Sequence, residues 1–365
     1  MASSRVFVGT GRGVHSLSLP DGHVAPLGLL KQFVTHVAAR EQHLLAACPV
    51  FGPIHEKHYG VKKEEQQDEG GLWHLDLSAP QKPAIQIWKG DARTCNIAPA
   101  SGGGSPRFFV GNEPADVLFS DDFGESWNGG AFKSLSTRDK WTFPGPPHEP
   151  HTLSIEFSKG GGKEYVIAGV EVGGIAVSED RGASWKELGW GQMCPDVHRC
   201  RADPFEPNHW WAVCGGGPPL EALSKIPGGL WASEDCGQNW RRVETLSKQW
   251  YLTGIAFNPF RRGEIIVAAA DDPPFHGVDL YHTADGGKIW EEITDKVFRG
   301  ELANEKGDQT PVPYFVKEGV LIGTETGKVL FAEKASGAEW RVLADVPSRV
   351  TCFAADGQSP SSTMH

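Results

Sequence analysis

The strongest constraint on how this chain can fold is a segment that returns four times. It reads VLFSDDFGESW over Val117–Trp127, IAVSEDRGASW over Ile175–Trp185, LWASEDCGQNW over Leu230–Trp240 and LYHTADGGKIW over Leu280–Trp290. Each copy is a short apolar run rich in β-branched or aromatic residues, followed by Ser/Thr-x-Asp-x-Gly-x-x-Trp. A fifth copy, Val329–Trp340, keeps only the glycine, Gly337, and the tryptophan, Trp340. The copies stand roughly 50 to 58 residues apart, a period that suits a four-stranded sheet repeated around a ring rather than a helical repeat.

The residue types in the repeat have structural jobs. Asp122, Asp180, Asp235 and Asp285 can accept hydrogen bonds from backbone N–H groups across a hairpin turn. Ser120, Ser178, Ser233 and Thr283 can add a second polar tie within the same turn. Gly124, Gly182, Gly237 and Gly287 supply a positive φ. The tryptophans then fold back as apolar plugs between neighbouring sheets, where truncation costs about 3–5 kcal/mol each. These aspartates are therefore read as structural.

The motif resembles the Asp-box, or bacterial neuraminidase repeat, of the sialidase-like superfamily. Such repeats occur in sialidases, in other glycoside hydrolases, in sortilin-type receptors and in a photosystem II assembly factor. The resemblance implies a β-propeller and leaves function open, because that fold carries hydrolases, receptors and assembly factors alike.

Counting strands outward from the repeat predicts an all-β, seven-bladed β-propeller. Blades are expected at 33–90, 93–130, 151–190, 197–245, 251–297 and 312–344. The ends supply the seventh. Val350–Ala355 reads as an innermost strand with no blade after it, and Arg5–Gly9 and Gly13–Leu19 as middle strands with no innermost strand before them. Pairing the termini removes the exposed sheet edges. Residues 1–356 are expected to form one propeller and 357–365 a flexible tail, with 51–70, 131–150 and 215–228 as surface loops. The high content of turn formers, 45 Gly and 26 Pro, fits this many hairpins.

Other classes fall away. A formal net charge of −11 and no dense Lys/Arg stripe argue against a nucleic-acid partner. No apolar run reaches the roughly 18 residues a membrane span needs. The N-terminus passes straight into strand-like alternation without the regions of a signal peptide, and seven cysteines form no regular framework. The expectation is a cytoplasmic protein.

In a propeller, ligands sit on the axis, at the face built by the connections into the innermost strands and by the loops between the two middle strands. The first set carries His36, Arg93, His148, His151, Asp196, His198, Tyr251, Tyr314 and Arg349. The second carries Arg12, His55, His58, Glu113, Asp116, Glu171, Asp271, Asp272 and Glu325. Such a density of ionisable groups exceeds what a structural channel requires. His151, Glu171 and His198 are expected to converge, as a general acid/base set or as ligands of a divalent metal, the one cofactor these residues suggest. Tyr251 would donate or orient a proton. Arg12, Arg93 and Arg349 would hold a carboxylate or phosphate, with Glu113, Asp271 and Glu325 as further substrate contacts. Pairs among the acids would also suit a glycoside hydrolase. The Arg-Ile-Pro motif of true sialidases is absent.

The resulting expectation is an enzyme with hydrolase- or lyase-type chemistry on a small polar or anionic molecule. The competing expectations are a non-catalytic scaffold that binds a protein partner across the same face, and a glycoside hydrolase of sialidase-like type.

Overall fold

Seven antiparallel sheets account for nearly all the regular structure of the chain in a computed structural model. It describes residues 4–50, 69–100, 104–145, 147–216, 225–246, 248–270, 277–305 and 310–355. The proposed tail 357–365, most of the loop 51–70, part of the loop 215–228, and His55, His58, Asp271 and Asp272 lie outside the described residues.

Blade 1 is made by both ends of the chain, in the order Val350–Ala355, Ser4–Thr10, Gly13–Leu19, Val24–Gly28. Val8 faces Phe353 and Val6 faces Ala355 across the closing pair. Blade 2 spans His36–Arg40 to Ile85–Trp88, blade 3 Asp91–Ala98 to Asp116–Ser120, and blade 4 His151–Gly160 to Lys186–Leu188. Blade 5 spans Val197–Ala202 to Arg241–Arg242, blade 6 Tyr251–Phe257 to Glu291–Glu292, and blade 7 Val312–Val316 to Arg341–Asp345.

The apolar patterning explains why sheets stack into a ring. Side chains alternate between the two faces of a strand. In Ile265–Ala270, a continuous apolar run, Ile265, Val267 and Ala269 pack toward blade 5, while Ile266, Ala268 and Ala270 pack toward blade 7. In Ser4–Thr10, Val6 and Val8 face blade 7 and Phe7 faces blade 2. The seven hydrophobic clusters each straddle one pair of neighbouring blades, and together they close the circle.

The repeated turn has the same hydrogen bonds in all four copies. In blade 5, Ser233 Oγ donates to Asp235 Oδ1 at 2.8 Å and accepts from the Gly237 N–H at 2.8 Å; the Asn239 N–H donates to Asp235 at 2.9 Å. Ser120–Asp122, Ser178–Asp180 and Thr283–Asp285 repeat this at 2.7 Å. The Ser126 hydroxyl, with other donors of its turn, holds the Asp122 carboxyl down at about 2. The glycines have φ of 95, 99, 79 and 86°, and the residue before each, Phe123, Arg181, Cys236 or Gly286, is also left-handed. Two consecutive left-handed residues make the hairpin fold back, and each tryptophan indole then donates to the carbonyl of its own turn glycine.

Each tryptophan packs on the preceding blade: Trp127 on blade 2, Trp185 on blade 3, Trp240 on blade 4, Trp290 on blade 5 and, in the degenerate copy, Trp340 on blade 6. Trp240 and Trp340 are buried, whereas Trp127, Trp185 and Trp290 are half-buried, so the plugs differ in weight.

Two features depart from the repeat. Blade 3 has three strands, its fourth reduced to a single bridge between Phe119 and Asn128 before Gly129-Gly130 turns the chain away. Residues 131–150, expected as a surface loop, instead insert Phe132, fully buried, against Trp185, and Trp141, nearly as buried, against Phe132. Two short 3-10 turns, Ala131–Ser134 and Arg138–Lys140, carry that packing.

We expect Trp240→Ala to destabilise the fold by about 3–5 kcal/mol and Trp127→Ala by distinctly less, as read by chemical denaturation. Equal losses would show that the tryptophans do not act through burial.

Candidate functional site

The innermost strands of blades 3, 4, 5 and 6 share a distortion near their first residues. The register shifts between Ala92 and Thr94, Thr152 and Ser154, Val197 and Arg199, and Leu252 and Gly254, leaving Arg93, Leu153, His198 and Thr253 as the extra residues. A bulge of this kind re-aims a side chain. The residues one step before the shared register are Asp91, His151, Asp196 and Tyr251. Equivalent positions in four successive blades thus bring ionisable groups to one end of the axis.

The middle strands complete the set. Glu113 lies opposite Asp91 and Glu171 opposite His151. In blade 5 the corresponding place is Gly215, whose N–H donates to the Asp196 carbonyl. A Cβ there would stand 2.3 Å from Asp196 Oδ2 and 2.7 Å from His198 Nε2, so only glycine leaves room for both side chains.

Seven groups form a continuous chain across three blades. Arg93 pairs with Asp91 at 2.8 Å and with Glu113. His151 Nδ1 lies 2.9 Å from Glu113 Oε2, and its Nε2 lies 3.5 Å from Glu171 Oε2. His198 Nε2 is 3.9 Å from Glu171 Oε1 and 3.7 Å from Asp196 Oδ2. His198 Nδ1 donates to the Leu252 carbonyl at 2.5 Å, which turns the Nε2 lone pair of the neutral ring toward the two carboxyls. Tyr251 packs edge-on against the His198 ring at 5.1 Å.

Burial sets the protonation of the cluster. It pushes the Asp196 carboxyl up to about 7, with the field of His151 opposing. It also raises Glu171, against the pull of His151 and His198, and lowers His198. For Glu113, burial is outweighed by the bonds to His151 and Arg93, which hold it below the usual carboxylate range. Neighbouring carboxyls in one site are thereby given different proton affinities.

His151, Glu171, His198, Arg93 and Glu113 thus come together, with Tyr251 at the edge. The remaining expected residues go elsewhere. Arg349 is buried and paired with Glu325 at 2.7 Å and with Thr310 at 2.8 Å, between blades 7 and 1. Arg12 is half-buried in blade 1, its N–H bonded to Thr10. Asp271 lies outside the described residues. His148 bonds the Phe143 carbonyl within its own loop, Asp116 accepts from the Val117 N–H, and Tyr314 and His36 line the channel wall. For a metal, one donor atom each from Glu171, Asp196 and His198 lie within 4.8 Å of one another, a set in which Asp196 stands where the sequence suggested His151. The sequence did place Asp196 at this face; its burial, which makes it chemically distinctive, was not visible there.

No protein-family model matches the chain, and no curated protein matches it in sequence. Solved structures match in fold. A GH74 xyloglucanase from Xanthomonas campestris aligns with 93% of this chain at 17% identity and a TM-score of 0.66; this chain covers 52% of that protein's length. YCF48 bound to a D1 peptide aligns with 87% of this chain, and 86% of its own, at 13% identity and a TM-score of 0.51. A chain of a mitotic checkpoint complex aligns with 87% at 10% identity and a TM-score of 0.52. At these identities the likeness establishes the β-propeller fold.

Because Asp196 binds its proton more tightly folded than unfolded, it lowers stability as pH rises from about 4 to about 7 and keeps that cost above pH 7. Asp196→Asn should therefore raise the melting temperature at pH 8, by up to ~4 kcal/mol of stability for a shift of this size, and lose the gain at pH 4. An unchanged difference across that range would contradict the burial argument. Gly215→Ala should perturb the His198 imidazole resonances while Gly162→Ala, in an exposed hairpin, should not.

Proposed function

We propose that the axial cluster is a catalytic site with hydrolase- or lyase-type chemistry on a small polar or anionic molecule. Asp196 acts as the general acid and Glu171 as the base or nucleophile. His151 and His198 flank Glu171, Tyr251 orients His198, and Arg93 holds Glu113 in place. The observation that carries this reading is the Glu171–Asp196 pair. Oxygens of the two carboxyls approach within 4.8 Å, and burial holds the Asp196 proton to about pH 7. Splitting two carboxyls into one acid and one base is how many hydrolases work at neutral pH. The approach lies just below the ~5–5.5 Å separation of the carboxyl pair in retaining glycosidases. Glu113 and Glu171 are a poorer pair, since the His151 ring stands between them.

The likeness to GH74 propellers and the four Asp-box turns support a sialidase-like superfamily member that cleaves a glycosidic type of C–O bond. Residues 1–356 are taken as one propeller unit. Seven free, buried cysteines agree with a cytoplasmic setting, and among the described residues no helix is long and apolar enough to cross a membrane.

A divalent cation on Glu171, Asp196 and His198 is the second reading, favoured by the His198 lone pair facing both carboxyls. Such an ion would polarise a substrate oxygen; elemental analysis of the purified protein decides it. A peptide-binding scaffold is the third, drawing on the YCF48 structure with its D1 peptide.

The test is a thermal-shift and turnover screen against aryl glycosides and small hydroxy acids. For any substrate found, Glu171→Gln should abolish turnover with the melting temperature nearly unchanged, and the wild-type rate should fall as pH rises through about 7, where Asp196 loses its proton. A substrate turned over equally well by Glu171→Gln and Asp196→Asn would remove both residues from the chemistry.

A further inference from the structure

Blade 2 lacks the repeated turn. After its third strand, Gly71–Asp76, the chain reads LSAPQKP over 77–83, without the Ser/Thr-x-Asp-x-Gly-x-x-Trp that locks the hairpins of blades 3 to 6. A pair of histidines stands there instead. The innermost strand starts at the mouth, so the start of the second strand, His43–Cys48, and the end of the third lie at the opposite end of the sheet. There His43 lies opposite Asp76, and Leu45 opposite His74. Such cross-strand neighbours share one face of a sheet, and this is the face turned to blade 3, on which Leu45 packs. His43 Nδ1 and His74 Nε2 stand 3.0 Å apart.

The rings are held by aromatic neighbours from blade 3. Phe123, in the repeated turn of that blade, stacks on His43 with centroids 5.1 Å apart and planes 27° apart. Phe108, fully buried, meets His43 edge-on at 5.5 Å and His74 obliquely at 5.6 Å. Asp76 is on the same face, and the Ser78 N–H and hydroxyl both donate to its Oδ1, at 2.9 and 2.5 Å, which fixes the carboxylate. Burial lowers the proton affinity of both rings. For His43 it acts against the pull of Glu41 and Asp76; for His74 it is helped by His43 and opposed by Asp76. Both rings are thereby kept in the neutral form that metals bind.

The 3.0 Å separation suits a hydrogen bond, and it is also the spacing an ion requires of two imidazoles. With metal–nitrogen bonds of about 2.0–2.1 Å, it subtends an angle of about 95° at the ion. That is the angle between adjacent positions of a square-planar or octahedral ion and falls short of the tetrahedral one. Nitrogen and oxygen donors in that geometry suit nickel(II) or copper(II).

We propose that His43 and His74 form a binding site for a divalent transition-metal ion of the nickel or copper kind, at the end of blade 2 away from the mouth, with Asp76 as the neighbouring carboxylate. In the free pair one ring N–H lies between the two nitrogens. On binding, that hydrogen moves to the other nitrogen of the same ring, so both lone pairs face the ion and no net proton is released. The ion would tie the second and third strands together where blades 3 to 6 use the aspartate turn. The site is independent of the mouth cluster and of any turnover there.

The test is calorimetric titration of the full chain with nickel(II) chloride. Saturable binding is expected, and His43→Gln and His74→Gln should each weaken it at least tenfold. Glu171→Gln, at the mouth, should leave this affinity unchanged, which separates the site from an ion held by the mouth carboxyls. Should a histidine variant fail to fold, the wild type still decides. Sub-stoichiometric copper(II), whose unpaired electron broadens nearby resonances, should broaden the ring signals of His74 and Phe123 before those of His198 and His23. No saturable binding by the wild type, an affinity unaltered in either histidine variant, or broadening that spares His74 and Phe123 would overturn the proposal.

Discussion

Ring closure is the constraint on which the rest of this molecule depends. Val350–Ala355 pairs with Ser4–Thr10, and that single antiparallel contact turns a row of sheets into a closed circle. Once the circle is closed, every blade must bury both faces, and the middle strands can be apolar throughout. The innermost strands must then face one another around an axis. Charged residues at the start of those strands have nowhere to go except toward each other.

The repeated turn serves the same end from the outside. Its aspartate and Ser/Thr lock the hairpin, two left-handed residues reverse the chain, and the tryptophan reaches the blade before it. The tie is local in hydrogen bonding and non-local in packing. This explains how the degenerate copy in blade 7, without the aspartate, still seats Trp340 on blade 6. Packing of the indole outlasts loss of the polar lock because the neighbouring blade supplies most of its contacts.

The axis combines two chemistries that the same architecture keeps apart. At the mouth, bulges in blades 3 to 6 gather acids and imidazoles, and burial separates their proton affinities. In the waist, the innermost strand of blade 5 places Arg199 and Arg201 in the wall of the axial cavity. Gly215 marks how tight the first arrangement is, since the glutamate that blades 3 and 4 carry at this place would collide with Asp196 and His198.

Seven blades, the closing pair of termini and the positive-φ glycines were legible in the sequence, because they follow from a repeat, from alternation and from local turn chemistry. The meeting of His151, Glu171 and His198 at one face was legible as a matter of strand ends. What the sequence could not contain was depth and angle. The bulges that aim Arg93 and His198 arise from hydrogen-bond register between strands, and the proton affinity of Asp196 arises from what covers it. The inward turn of Arg199 and Arg201, read along the chain, is two basic residues in an ordinary strand. Likewise Phe132 and Trp141 read as part of a loop along the chain, and only the fold sets Phe132 between Trp141 and Trp185. Local interactions are written in neighbouring residues; electrostatics and burial belong to groups that only the closed ring brings together.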